Sequence, residues 1–394
     1  MKLTTDQEAV RDAYKEWTEN IGMRDNNLQY VFTPYNLCEE MVLKLKENTG
    51  LKKKNILVFN LEFAIVLMER GVAPGNITFL TDCTEKVLFA EELGVNIMQE
   101  DFRKVIEEKR DLGQFDVVVG NPPYQDSSGN IGNVIWDKFT LLALQELTID
   151  KGYLVFVHPP KWRNPSSPLW NMMKAKQIHY LEMHDVSDGQ KTFGATTNYD
   201  WYVLQNTDVY CETTIKDING ENYIVDLTDI QFIPNSMFNF VQTLITSNED
   251  DQIGLLVSYS DYEIRKSWMS KTKTQQHIYP CIRYISEKDG DIACWYSNTN
   301  QNGHFGIPKI VFGIGCGCGE FYFDRNGEYG LSQYAAGVLA DTEEELENIY
   351  KAMNTPKFME VMDACMTTTQ RIHPKVFGMF KKDFWKEFID DENK

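Results

Sequence analysis

Positive charge is scarce in this chain. Its 39 Lys and Arg face 58 Asp and Glu, for a formal net charge of −19 at pH 7. That balance excludes a protein that coats polyanions with its whole surface and leaves room only for a local basic groove. Long apolar runs are missing too, since no stretch approaches the roughly 18 residues a membrane-spanning helix needs, so no membrane partner is expected. The N-terminal MKLTTDQEAV is polar and does not read as a signal peptide, which points to a cytoplasmic protein. The eight cysteines are scattered, and the closest two, Cys316 and Cys318, lack CxxC spacing and a second pair to complete a zinc site. Reduced thiols and no metal centre are expected. A phosphate-cradling P-loop, a Ser-His-Asp set, a catalytic carboxylate pair, internal repeats and low-complexity tracts are absent as well. No glycine stands between Gly50 and Gly71.

What is present is a large apolar complement in regular alternation. The 394 residues are 42% hydrophobic, enough for two domains with their own cores. Residues 5–20 read as an amphipathic helix carrying Val10, Tyr14 and Trp17. Tyr30-Val-Phe-Thr-Pro34 reads as an extended approach to a second helix, with Thr33 as cap and Pro34 at the first helical position. Strands follow at 55–59, 76–80, 95–98, 115–119 and 153–157, separated by helices near 62–70, 84–93 and 133–147. Further strands are expected around 180–183 and 201–205. Strand and helix in strict alternation predict an α/β domain with a doubly wound, mostly parallel sheet. Beyond about residue 207 the text becomes turn-rich and aromatic, so a first domain over 1–206 and a second, mixed α/β domain over 207–394 are expected.

The most specific stretch is Phe115-Asp-Val-Val-Val-Gly-Asn-Pro-Pro-Tyr124. Three consecutive valines suit a central strand covered on both faces. Gly120 permits a turn or a close approach, and Pro122 and Pro123 stiffen the turn itself. Asn121 and Tyr124 are thus presented from a rigid loop at the carboxyl end of a strand, where open α/β sheets bind ligands. The loop offers an amide oxygen, an unpaired carbonyl and an aromatic face, the parts needed to grip a planar amine. Asp82 and Asp101-Phe102 end the second and third strands in the same way.

Phe32-Thr-Pro34, Asp82, Asp101-Phe102 and Asn121-Pro-Pro-Tyr124, in this order, resemble the S-adenosylmethionine-dependent adenine-N6 DNA methyltransferases of the Eco57I restriction–modification and phage type. The resemblance covers about 30–205. It implies a class I methyltransferase, Rossmann-like fold and S-adenosyl-L-methionine as cofactor. It also implies catalysis by Asn121, Pro122, Pro123 and Tyr124 on an adenine flipped out of duplex DNA. Cofactor contacts are implied at Phe32, Thr33, Pro34, Asp82, Asp101 and Phe102, and Asn60 and Glu62, at the helix start after the first strand, are expected to reach the methionine part of the cofactor. A wall for the base is implied at Phe193, and the His158-Pro-Pro-Lys-Trp162 turn that ends the fifth strand near the pocket puts Trp162 beside it as a further candidate. The second domain is then the target-recognition domain, double-stranded DNA the partner, and a cognate restriction nuclease a further one. The chain departs from the family at its first strand, where Asn60-Leu-Glu-Phe63 stands in place of a Gly-rich turn. Two alternatives stay open: an RNA or protein N-methyltransferase, and an inactive relative that binds nucleic acid or a partner.

Basic residues concentrate after residue 260, at Arg265, Lys266, Lys271 and Lys273 and again from Arg371 to Lys386, interleaved with Trp268, Phe377, Phe380 and Trp385. That pattern suits phosphate contacts with some stacking. Asp261-x-Glu263-x-x-Lys266 reads as a charged helix face. Gly313-Ile-Gly-Cys-Gly-Cys-Gly319 reads as a hairpin or loop facing DNA, since no helix follows to receive an anion.

Overall fold

The computed structural model describes residues 3–21, 32–108, 110–124, 135–286, 290–314, 320–367 and 373–389, apart from the side chains of Phe102 and Arg103. Arg371 and the glycines and cysteines of 315–319 lie outside these residues. The chain divides into two compact units, one of residues 1–162 and 167–230, the other of 163–166 and 231–394.

The first unit opens with α1 (Thr5–Ile21) and α2 (Tyr35–Asn48). Then come β1 (Ile56–Val58), α3 (Leu61–Glu69), β2 (Ile77–Thr81), α4 (Thr84–Leu93), β3 (Asn96–Gln99), α5 (Phe102–Glu108), β4 (Phe115–Gly120) and α6 (Trp136–Leu142). It continues through β5 (Thr148–His158), α7 (Trp170–Lys174), β6 (Lys176–His184), α8 (Val186–Phe193), β7 (Tyr199–Asp208), β8 (Thr213–Lys216) and β9 (Asn222–Val225). The strands form one nine-stranded sheet in the order β3-β2-β1-β4-β5-β7-β6-β8-β9. Pairing is parallel from β3 through β5, and β7 runs antiparallel to both β5 and β6. The order 3-2-1-4-5-7-6 with a reversed β7 is that of the class I methyltransferase fold.

The sequence explains the centre of this sheet. Ile56, Leu57, Val58, Val117, Val118 and Val119 are all fully buried, with Ile56 opposite Val117 and Val58 opposite Val119. Buried on both faces, such strands need no polar alternation. The strand order reverses between β1 and β4, which opens a crevice at their carboxyl ends. The first unit runs past the expected boundary at 206 because β8 pairs in parallel with β6 and carries β9 with it.

In the second unit, α9 (Phe238–Leu244) precedes β10 (Gly254–Leu256), β11 (Met269–Ser270), β12 (Tyr279–Ile285), β13 (Ile292–Ser297), β14 (Lys309–Gly313), β15 (Tyr322–Asp324), β16 (Gly330–Leu331) and β17 (Ala335–Leu339). The chain ends in α10 (Glu343–Met353), α11 (Pro356–Ala364), α12 (Pro374–Phe377) and α13 (Lys386–Ile389). Two four-stranded sheets result, β10-β17-β14-β15 and β11-β13-β12-β16. Phe377, Phe380 and Trp385, expected among nucleic-acid contacts, instead belong to the aromatic core under α10–α13. Asp261–Lys266 is a run of turns rather than a helix. Glu263 there accepts from Arg265 at 2.6 Å, and its backbone carbonyl accepts from Lys266 N–H at 3.0 Å.

Candidate active site

The loop after β4 is held from the strand beside it. Asn121 N–H donates to Asn60 Oδ1 at 2.7 Å, so the residue between β1 and α3 fixes the start of the Asn-Pro-Pro-Tyr turn. Gly120 makes this approach possible. A Cβ there would lie 2.8 Å from Phe59 Cδ2 and 3.2 Å from Asn60 Oδ1. Glycine is needed for the closeness of β1, not for a left-handed backbone. Phe59 cannot yield, because its buried ring packs edge-on against Phe139 and Phe156 at 4.9 and 5.6 Å. Gly120→Ala is therefore expected to cost about 1–3 kcal/mol through overpacking, measured by chemical denaturation; a cost within error of zero would show that the β1–β4 contact is loose.

The Asn121 side chain is 6% exposed, and both its Oδ1 and its Nδ2 are buried without a hydrogen-bond partner. Leaving a buried amide unpaired costs about 1–3 kcal/mol. Pro122 is buried and Tyr124 half-buried. The Tyr124 hydroxyl donates to the Val157 carbonyl at 3.3 Å, which ties the far end of the loop to β5. Burial pushes the Tyr124 phenol well above its ordinary pKa, with Tyr199 and Asp200 adding to the effect, so Tyr124 stays neutral.

At the start of α3, Glu62 is 2% exposed. Its Oε1 accepts the Thr33 N–H at 3.2 Å and its Oε2 the Tyr14 hydroxyl at 3.2 Å. Burial raises the Glu62 carboxyl pKa, while Lys86, backbone N–H groups and the Tyr14 hydroxyl oppose that rise. The fully buried Lys86 places its ammonium 4.8 Å from the centre of the Phe32 ring. Trp17 meets Phe32 edge-on at 5.8 Å, and Tyr14 meets Phe89 at 5.3 Å. Thr33 does not cap α2, whose first turn has no side-chain cap. Its N–H is spent on Glu62 and its hydroxyl is buried without a partner.

The other expected residues are distributed as follows. Asp82 is exposed just past β2 and Asp101 half-buried just past β3; the side chain of Phe102 lies outside the described residues. Trp162 is fully buried and donates from Nε1 to Asp200 Oδ2 at 2.9 Å. Phe193 is 4% exposed and packs edge-on against Tyr199 at 4.9 Å. Neither ring has an open face in this state. Tyr14 and Lys86 were missed in the sequence. Tyr14 is 48 residues from Glu62, and the only available signal was its place on the apolar stripe of α1. Lys86 carried a fainter one, a cation in the first turn of a helix that follows an acid-ended strand.

No curated protein matches this chain. Among solved structures, a type I restriction–modification methyltransferase subunit from Streptococcus thermophilus is 13% identical over 57% of each chain, with a TM-score of 0.40. A chain from a type I restriction–modification complex is 12% identical over 54% of this chain and 50% of its own, with a TM-score of 0.42. The type IIG restriction endonuclease BpuSI is 11% identical over 97% of this chain and 62% of its own, with a TM-score of 0.41. The chain thus spans about half the length of the type I chains it resembles. The segment from Lys54 to Phe193, which carries Asn60, Glu62, Asp82, Asp101, Asn121 to Tyr124 and Trp162, matches the family model of the Eco57I restriction-modification methylase.

Proposed function

We propose that this chain is an S-adenosylmethionine-dependent DNA methyltransferase acting on the exocyclic N6 of an adenine flipped out of duplex DNA. The observation that carries this reading is the Asn121 amide, buried and unpaired at the carboxyl end of β4, where the strand order reverses. A ligand that donates hydrogens to Oδ1 removes the cost of its burial. The amine of adenine does so, and it is a poor nucleophile because its lone pair is delocalised into the ring. Two acceptors for its hydrogens, Asn121 Oδ1 and the Pro122 carbonyl, favour a pyramidal nitrogen with its lone pair free. Tyr124, tied to β5, supplies a neutral ring for the base to stack on. Orientation and electrostatics then supply the catalysis without a covalent intermediate. Extrusion of the base follows from the inaccessibility of that amine in stacked DNA.

The donor set fits the cofactor. A buried carboxylate at a helix start, Glu62, suits the ammonium of its methionine part. The unpaired Thr33 hydroxyl adds a polar contact, Asp82 suits the ribose hydroxyls, and Asp101 suits the adenine amino group. When bound, the cofactor supplies an electrophilic methyl on a sulfonium. The side chains of Leu61 and Phe63, where a Gly-rich turn is usual, are fully buried in the core and so leave the start of α3 to Glu62.

Calorimetric titration of the full chain with S-adenosylmethionine, followed by labelled-methyl transfer to duplex DNA, RNA and protein, tests the reading. Saturable binding that Glu62→Gln weakens at least tenfold, with label entering N6 of adenine in duplex DNA, is the expected result. Absence of heat and of thermal shift at millimolar cofactor would overturn it in favour of an inactive relative, and label in RNA or protein would move the substrate.

A further inference from the structure

The basic segment of the second unit has a feature that net charge conceals. No Asp or Glu stands between Glu263 and Glu287, or between Asp291 and Glu320. The fold brings these two acid-free stretches together. Met269 on β11 and Tyr279 on β12 both pair with Ser297 on β13. Tyr279 begins β12 opposite Ser297, which ends β13, so the 271–278 loop enters the sheet at the end from which the loop beginning at 298 leaves. Asn298 N–H donates to the Trp268 carbonyl at 3.0 Å, which ties the second loop to the residue that precedes β11.

Both loops are shaped from within. Thr274 N–H donates to the His277 carbonyl at 3.1 Å, and Thr274 Oγ1 accepts from the N–H groups of Gln276 and His277 at 3.3 and 3.0 Å. Gln301 N–H donates to Thr299 Oγ1 at 3.2 Å, and Asn302 Nδ2 to the Asp261 carbonyl at 2.8 Å. Residues 271–276, Asn298 and Gln301 are exposed. Arg265 and Lys266 turn onto Glu263, at 2.5 and 3.8 Å. Lys271 and Lys273 have no ion-pair partner among the described residues. The nearby carboxylate of Asp261 lies 3.6 Å from His304 Nε2.

We propose that these two loops read the major groove of duplex DNA, with Lys271 and Lys273 on phosphates and Gln275, Gln276, Asn298 and Gln301 on base edges. The proposal rests on the DNA substrate argued above and names the surface that selects it. Amide side chains pair bidentately with N6 and N7 of adenine, whereas recognition of cytosine N4 calls for the carboxylates these loops lack. The surface therefore reads adenine at the positions its amides meet. A preshaped loop loses little entropy on binding, which suits it to reading a sequence.

The test uses the full chain. Fluorescence anisotropy with a labelled random-sequence duplex, across potassium chloride concentrations, is expected to give a log–log salt slope that Lys271→Ala/Lys273→Ala reduces by about 2, one for each phosphate the variant no longer neutralises. Selection from a random duplex library is expected to return an adenine-containing motif that Gln275→Ala/Gln276→Ala/Gln301→Ala relaxes at specific positions. An unchanged salt slope, or the wild-type motif returned by the glutamine variant, overturns the surface while leaving the methyltransferase reading intact. Failure of the wild type to bind duplex at all overturns both. Binding of single-stranded RNA as tightly as duplex overturns the groove assignment. All these side chains are exposed, so circular dichroism of the variants is expected to match wild type.

Discussion

Asn121→Ala is expected to reduce methyl transfer about 10²–10³-fold in kcat, the range for losing one preorganised polar group that contacts the reacting atoms. It is also expected to leave stability unchanged or to raise it. Both signs come from the same observation. The amide is buried with neither polar atom paired, so its removal lifts a burial cost of about 1–3 kcal/mol, offset in part by the small cavity left behind. The backbone N–H that Asn60 holds at 2.7 Å survives the substitution, so the loop keeps its place. S-adenosylmethionine affinity is expected to stay near wild type, because Glu62 and Thr33 lie on other elements. Labelled-methyl transfer under saturating cofactor, thermal melting and calorimetry together read all three. Transfer near the wild-type rate would remove Asn121 from the chemistry. A large loss of stability would make it a structural residue, which its unpaired atoms argue against.

The sequence made the frame of the first unit legible because its central strands are apolar on both faces and its helices are punctuated by glycine. Gly94, at φ 78°, ends α4 with a left-handed cap and donates its N–H to the Ala90 carbonyl. The valines of β4 needed no tertiary information to be read as a buried strand. The strands at the sheet edge were not legible. Thr213–Lys216 and Asn222–Val225 are short and only partly buried; the first is placed by its distant partner β6 and the second only by the first. The Asn-Pro-Pro-Tyr loop was legible as a rigid polar turn, whereas its anchor was not. That Asn60 spends its side chain on Asn121 depends on β1 lying beside β4, a contact 61 residues long in sequence. Thr33 looked like a cap because local chemistry favours capping; in the fold its hydroxyl is buried without a partner, and its N–H goes to the Glu62 carboxylate. The phenylalanines near the C-terminus read as stacking groups beside lysines, but their spacing serves a core.

Lys309→Met is expected to destabilise the second unit by about 3–5 kcal/mol, because it leaves a buried carboxylate without its countercharge. Lys309 and Asp324 are opposite one another on β14 and β15, and their side chains are 0% and 1% exposed. The ammonium lies 2.6 Å from Asp324 Oδ2 and also donates to the His304 and Ile307 carbonyls, each at 3.1 Å. Asp324 in turn accepts the N–H groups of Glu328 and Tyr329 at 2.8 and 3.1 Å. Burial lowers the Lys309 pKa and the Asp324 contact opposes that shift. Gly337 on β17 leaves room for the lysine stem, since a Cβ there would lie 3.0 Å from Lys309 Cδ. Met preserves that stem and removes the charge, so the measured loss isolates the ion pair from the packing. Adding Asp324→Asn removes the stranded charge and keeps an acceptor for one of the two N–H groups, and the double variant is expected to recover part of the loss. Urea denaturation of wild type, both single variants and the double variant closes this cycle; a loss below about 1 kcal/mol for Lys309→Met would mean that water reaches the pair. The same lysine anchors the stretch just after the 298–303 loop through its two carbonyl contacts. Lys309→Met is therefore expected to blur the motif recovered from a random duplex library even below the unfolding temperature, while calorimetric binding of S-adenosylmethionine, which draws on residues of the first unit, stays unchanged.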